Sequence, residues 1–414
     1  MLELGLGLLG LFVVMSWELV VGSLVFFILF LLLNMSESGE MTIKLIFMLL
    51  SLWLVIMMVL SVEKFSSSLD LYLIFIFMLI SLIIVFYSET LISFYFGFEM
   101  SVIPIFLIIL GWGYQPDRVE AGVYMITYTV FFSLPLLMGI YYLNMGYKLV
   151  GMPLFFMFLL AFLVKFPLVG LHLWLPRAHV EAPVYGSMIL AGVMLKLGGY
   201  GVIKLSFIMG DFLFKYSSMI LIFSILGGLI LTGVCFVQTD MKMLIAYSSI
   251  VHMSVVLSGV LTMKISGLVG SVYLMVGHGL CSSGLFCVLG LIYNRSLTRS
   301  LYLNKGMMNI IPISSFWWFL FCSSNLSFPP CLNLPGEIFL FISILGWNWH
   351  FFLIVGLLGV SSSMYSIYLF SFSQQGKLTF YFSFKSFNLY ECLLLSMHWI
   401  PLNLFILDLS IMTF

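Results

Sequence analysis

The sequence predicts an all-α polytopic membrane protein, and three observations carry that reading. The 414 residues are 63% hydrophobic and only 8% charged, with a mean hydropathy of +1.21. A soluble domain of this size needs far more charge on its surface. Apolar runs of about 20 residues recur from end to end, each long enough to cross a hydrocarbon core of ~30 Å at 1.5 Å rise per residue. The runs are continuous rather than alternating, which argues against a β-barrel. No stretch reads as an extramembrane domain.

In chain order the apolar spans are 2–16, 19–33, 43–61, 69–88, 90–111, 120–143, 150–176, 184–208, 216–237, 242–262, 266–293, 308–347, 350–371 and 389–411, which makes fourteen. The first two are short, so the alternative count is thirteen, with one long tilted helix at the start. Connections are brief and, with the span ends beside them, carry most of the remaining charge: Glu37 and Glu40; Glu63 and Lys64; Asp117, Arg118 and Glu120; Asp240 and Lys242; Arg295, Arg299 and Lys305. Their balance does not fix an orientation by the positive-inside rule.

Two spans are interrupted. The seventh reads FLVKFPLVGLHLWLP, with Pro167 and Gly170 just after Lys165; the twelfth reads SNLSFPPCLNLPGEIF, with Pro329, Pro330 and Pro335 before Glu337. Proline removes a backbone donor and clashes with the preceding turn. Inside a membrane the freed carbonyls must face protein or water, so both breaks are expected to line a hydrated pocket. They lie five spans apart, which fits two inverted five-helix repeats, a common plan in membrane transporters. The expected divisions are N-terminal helices at 1–68, repeats at 69–208 and 209–371, and a C-terminal helix at 372–414.

Six ionisable residues fall deep in six separate spans: Glu99, Lys165, Lys196, His252, His278 and Glu337. A charge at the bilayer centre costs roughly 2.5–3.5 kcal/mol on insertion scales, so such residues pair, face a hydrated cavity or carry ions. A buried lysine exchanges protons near neutrality, and a nearby carboxylate restores its charge. Glu99 and Lys165 therefore read as a pair that loads and releases a proton; the competing reading is a static ion pair that fixes helix packing. Lys196, in MLKLGGYG, is too deep to snorkel easily. His252 and His278 can accept on one ring nitrogen while donating from the other, or simply make buried hydrogen bonds. Tyr247, Ser248, Ser249, Ser282 and Ser283 offer hydroxyls for water wires or helix packing. Glu337 either ends the polar track or complements the N-terminal dipole of its helix.

Other chemistries find little support. Lys+Arg and Asp+Glu are 16 each, so no basic footprint for nucleic acid exists. The six cysteines (Cys235, Cys281, Cys287, Cys322, Cys331, Cys392) form no C-x-x-C pair. His172, Arg177, His179 and Glu181 sit in LHLWLPRAHVEAP, read as a polar loop without a third metal ligand at recognisable spacing. A bis-imidazole haem at His252 and His278 rests on those two residues alone. No phosphate loop or nucleophile elbow is present. The N-terminus shows no basic region of a cleavable signal. High Phe, Met and Tyr content (42, 28 and 20) suits an organelle-encoded inner-membrane protein.

The stretch LVKFPLVGLHLWLPRAHVEAPVYGSMILAGVMLKLGGYG closely resembles the chain 4 family of NADH–ubiquinone oxidoreductase, the mitochondrially encoded antiporter-like subunits of respiratory complex I. ETLISFYFGFEMSVIP, GWGYQPDRVEAG, AYSSIVHM, GHGLCSSGLFC and NLPGEIF resemble it too, and together cover about 89 to 340 in order. The resemblance implies a fourteen-helix subunit in the mitochondrial inner membrane, built on inverted antiporter-like repeats with discontinuous helices 7 and 12. It implies Glu99 and Lys165 as a coupled pair, Lys196 as central relay, His252 and His278 as bridging groups, and Glu337 as the terminal group. Sister chains 2 and 5 usually carry lysine at that last position. Arg177 replaces a common lysine with charge retained, and the terminal regions look short for the family.

The implied function is proton translocation coupled to NADH-to-ubiquinone electron transfer. This chain would hold no cofactor; NADH, FMN, iron–sulfur clusters and ubiquinone would belong to other subunits. Implied partners are chains 2 and 5, accessory subunits and lipids such as cardiolipin. The rivals are a stand-alone or Mrp-type cation/proton antiporter subunit, and a scaffold whose buried charges only specify packing.

Overall fold

Long apolar sequences with no competing polar face become helices in lipid, because every backbone group must then be satisfied within its own segment. The protein, seen in a computed structural model, is accordingly almost all helical, and residues 17–33, 39–62, 68–145, 152–377 and 385–412 are described. The expected span 2–16 lies outside them. The early helices are α1 (Trp17–Leu33), α2 (Gly39–Ser61), α3 (Leu69–Tyr87), α4 (Leu91–Met100), α5 (Val102–Trp112) and α6 (Arg118–Asn144). Next come α7 (Met152–Lys165), α8 (Trp174–Glu181), α9 (Val184–Ile189), a π-turn at Leu190–Met194 and α10 (Leu195–Ile208). The second half holds α11 (Gly210–Val237), α12 (Met241–Leu261), α13 (Ile265–Ser296), α14 (Met307–Ile310), α15 (Pro312–Asn325), α16 (Asn333–Trp347), α17 (Phe352–Gln374) and α18 (Leu389–Leu404).

Among the described residues nine helical segments are long and apolar enough to cross a membrane. They differ in how much they bury. Spans Val184–Ile208, Met241–Leu261 and Ile265–Ser296 are each 94% buried, whereas Arg118–Asn144 and Trp349–Gln374 are 33% and 28% buried. The first three form the interior of the bundle, and they carry Lys196, His252 and His278. A charge that is costly in lipid is thus surrounded by protein. In the second half, α12 packs between α11 and α13, and α16 lies along α13.

Both expected breaks are present. After Lys165 the chain leaves the helix until Trp174, and Gly170 takes φ +95°, a conformation that glycine adopts without steric cost. Pro167 cannot donate to the Leu163 carbonyl, so the Leu168 N–H takes it at 3.0 Å, and the Trp174 indole N–H takes the Val164 carbonyl at 3.0 Å. Protein groups therefore satisfy these two freed carbonyls, where the sequence suggested water. The second break separates α15 from α16. There the Asn333 side-chain amide donates to the Ser324 carbonyl at 2.9 Å, while Asn325 Oδ1, Asn333 Oδ1 and Ser327 Oγ stay buried without partners.

Spans 90–111 and 184–208 are present as Leu91–Trp112 and Val184–Ile208, each with a local irregularity, and the loop reading of 171–183 needs correction. Span 90–111 is not one regular helix: it turns at Ser101 between α4 and α5, because Pro104 has no N–H for the Met100 carbonyl. Span 184–208 is interrupted by the π-turn one residue before Leu195-Lys196. Most of the expected loop LHLWLPRAHVEAP is helix α8, with Trp174, Leu175, Pro176, Ala178, His179 and Glu181 buried. Lys242, at the start of α12, is 3% exposed, and its ammonium donates to the Val180 and Ala182 carbonyls at 3.3 and 2.9 Å.

Helix α10 crosses the first break at close range. A Cβ on Gly198 would stand 2.7 Å from the Phe166 backbone nitrogen, and backbone cannot swing aside as a side chain does. Gly198→Ala is therefore expected to destabilise the fold by roughly 1–3 kcal/mol through overpacking, read as earlier thermal loss of the assembled complex on native gels. An unchanged melting profile would show that this approach relaxes freely.

Candidate functional site

Lys165 is the last residue of α7, where the chain breaks, and it is 2% exposed. Its ammonium donates to the Phe98 carbonyl at 2.6 Å and stands 3.2 Å from the centre of the Phe98 ring. That carbonyl belongs to the turn next to Glu99 and also accepts from the Ser101 hydroxyl at 2.8 Å. Glu99 itself is not in a contact ion pair: Oε1 is buried without a hydrogen-bond donor, and Ser133 and Lys165 are its polar neighbours. The structure thus brings Lys165 to the peptide beside Glu99 rather than to its carboxylate.

Lys196 is fully buried. Its ammonium donates to the Ala191 carbonyl within the π-turn and lies 3.1 Å from His278 Nδ1. A π-turn leaves carbonyls poorly matched to helical donors, and the lysine supplies one. The His278 ring stands 5.4 Å from the His252 ring, centre to centre, and His278 Nε2 has no partner. His252 Nδ1 lies 3.3 Å from Glu337 Oε1, and His252 Nε2 lies 3.1 Å from the Tyr365 hydroxyl. Lys196, His278, His252 and Glu337 therefore form one row across α10, α13, α12 and α16. The Glu99–Lys165 group is separate from it in the contacts seen.

Glu337 is the fifth residue of α16, beyond the first turn. Its side chain is 18% exposed and directed at His252, so the dipole reading does not describe it. Tyr365, on α17, is fully buried against His252. Sequence reasoning missed it, as it missed the Phe98 and Ala191 carbonyls. Pro104 was the legible signal for the turn at Ser101; nothing in the sequence pattern marks the π-turn.

A second polar group lies toward the ends of the helices. Arg299 donates to the Val180 carbonyl at 2.9 Å and lies 3.6 Å from Asp240 Oδ2. Burial pushes the Asp240 and Glu181 carboxyls up from their usual range, against the pull of the Arg299 guanidinium. Among the described residues no group of three or more His, Cys, Asp or Glu is placed to hold a metal ion, and Cys235, Cys281, Cys287, Cys322, Cys331 and Cys392 are free thiols.

Residues 88–363 match the family model described as NADH:quinone oxidoreductase/Mrp antiporter, TM. A Ceratitis capitata protein named NADH-ubiquinone oxidoreductase chain 4 is 46% identical over 382 residues, covering 88% of this chain and 86% of that protein. Its Aedes aegypti namesake is 48% identical, covering 76% and 73%. The fold is similar to a chain of respiratory complex I from Thermus thermophilus, with TM-score 0.86 at 21% identity, covering 97% of this chain and 92% of that one. A chain of the Mrp complex from a Dietzia species gives 0.78 at 18% identity, covering 88% and 42%. The chain belongs to the NADH-ubiquinone oxidoreductase chain 4 family, the multi-pass, antiporter-like membrane subunits of respiratory complex I.

Proposed function

We propose that this chain translocates protons across the mitochondrial inner membrane through the row Lys196–His278–His252–Glu337, loaded from Glu99 and Lys165. The observation that carries the reading is the contact row itself, three of whose four members, Lys196, His278 and His252, lie in the three most enclosed spans. Lys196 stands within hydrogen-bond distance of His278 Nδ1, so its ammonium can pass a proton there while Nε2 releases one. Crossing the 5.4 Å between ring centres to His252 requires a bridging water or a ring rotation. His252 Nδ1 then hands the proton to the Glu337 carboxylate, with Tyr365 fixing the ring. Lys165 is held on the peptide beside Glu99, and alternation between that carbonyl and the Glu99 carboxylate would load and release the proton.

Two inverted five-helix repeats, 69–208 and 209–371, flanked by 1–68 and 372–414, would relate the two broken helices within a fourteen-helix plan. The neighbours would be antiporter-like chains 2 and 5, accessory subunits and lipids such as cardiolipin. Other subunits would hold NADH, FMN, iron–sulfur clusters and ubiquinone; their electron transfer would drive this chain through changes in hydration and charge.

Lys165→Ala is expected to abolish the proton pumping due to this subunit, a loss of roughly 10²-fold or more for a removed acid–base group. Assembly, read on native gels stained for NADH dehydrogenase activity, survives. Unchanged pumping by the fully assembled variant complex would refute the role given to Lys165.

A further inference from the structure

A charged cavity of about 430 Å³ lies apart from the row, with Lys44, Ser88, Glu89, Tyr200, Lys204 and Phe207 in its walls. Its charged groups all come from the ends of spans. Lys44 is in the first turn of Thr42–Ser61, Glu89 joins Leu69–Tyr87 to Leu91–Trp112, and Lys204 is in the last turn and a half of Val184–Ile208. In a membrane such ends lie where hydrocarbon gives way to headgroups. The Lys204 ammonium donates to the Ser88 carbonyl at 2.6 Å and to its hydroxyl at 3.2 Å, and stands 4.8 Å from the centre of the Phe94 ring. These contacts fix its place on the wall. Lys44 takes part in none of the four ion pairs among the described residues. Two ammonium groups thus share the cavity with one carboxylate, an excess of one positive charge. The rim is apolar: Phe207 and Ile208 are 57% and 42% exposed. A soluble anion needs no such rim, whereas an amphiphile with a negative head uses both parts.

We propose that this cavity binds the phosphodiester headgroup of an anionic membrane phospholipid, with Lys44 and Lys204 on the phosphate and the acyl chains along Phe207 and Ile208. Ammonium groups at the membrane surface attract anionic lipid, and a phosphate oxygen accepts a charge-assisted hydrogen bond from them. The single excess charge matches a phosphodiester, which carries one negative charge, better than doubly charged inorganic phosphate. The bound head ties together the start of α2, the junction of α3 with α4 and the end of α10, the helix that carries Lys196. The inference does not rest on the proton row.

The test uses the assembled complex in phosphatidylcholine vesicles that contain a small fraction of photoreactive phosphatidylglycerol, its reactive group on the acyl chain close to the head. Labelled peptides are identified by mass spectrometry. The peptide carrying Phe207 and Ile208 is expected to be labelled, and more strongly than by photoreactive phosphatidylcholine. Lys44→Gln and Lys204→Gln should each cut that labelling about five-fold, the scale of one lysine acting on anionic lipid. The double variant should fall to the level of the zwitterionic probe, while Lys44→Arg, which keeps the charge, retains most of the label. If Lys204→Gln fails to assemble on native gels, Lys44→Gln gives the same reading, because Lys44 lies outside the Ser88 contact. No label on this peptide, equal labelling by the two probes, or unchanged labelling in Lys44→Gln overturns the proposal. A loss in Lys44→Arg as large as in Lys44→Gln overturns it too, because shape rather than charge would then be read. Displacement of the label by inorganic phosphate, without preference between the lipids, assigns the cavity to a free anion and rejects the lipid.

Discussion

Lys196→Ala is expected to cut proton translocation by roughly 10²-fold, the scale of losing one positioned acid–base group, in a complex that still assembles. Two effects bear on assembly, and they oppose each other. Truncation leaves His278 Nδ1 and the Ala191 carbonyl without their partner, at about 1–3 kcal/mol for each buried orphan. It also removes a charge from a fully enclosed position, which relieves a desolvation cost of several kcal/mol. The balance leaves the fold standing, so the lost function reports on the ammonium. Pumping in vesicles, normalised to native-gel abundance, checks this. Full pumping in the variant would show that protons bypass the centre of the row.

Glu337→Gln has the next largest expected effect, again roughly 10²-fold on pumping. Glutamine fills the same space and can still hydrogen-bond His252 Nδ1, now 3.3 Å from Glu337 Oε1. Tyr365 continues to hold His252 Nε2. Geometry is therefore conserved while the capacity to take a proton is lost. With the side chain 18% exposed, the substitution should leave stability nearly unchanged. Proton release timed against NADH oxidation is the measurement. Equal release by the glutamine variant would make Glu337 a packing partner of His252 and nothing more.

The sequence made the helical membrane class legible because hydropathy over 20-residue windows reports directly on lipid solvation. The two breaks were legible because Pro167, Gly170, Pro329 and Pro330 act locally on the backbone. The six ionisable residues stood out because charge is rare in such a chain. What the sequence could not specify was which of them touch. The contacts Lys196–His278 and His252–Glu337 span 82 and 85 positions, and depth in a span says nothing of rotation about its axis. The Lys165 contact with the Phe98 carbonyl depends on the turn at Ser101. The polar stretch 171–183 reads as a loop in sequence because its charges mask a short helix, and it is the packing of α8 that buries His179.

The central claim is that the loading pair and the row conduct in series. Protons translocated per NADH oxidised, measured for Lys165→Ala, Lys196→Ala and the double variant in vesicles, test it most directly. A series path predicts that the double variant pumps no less than the worse single variant, as for residues acting as one unit. Losses that multiply in the double variant, as for independent sites, would contradict it.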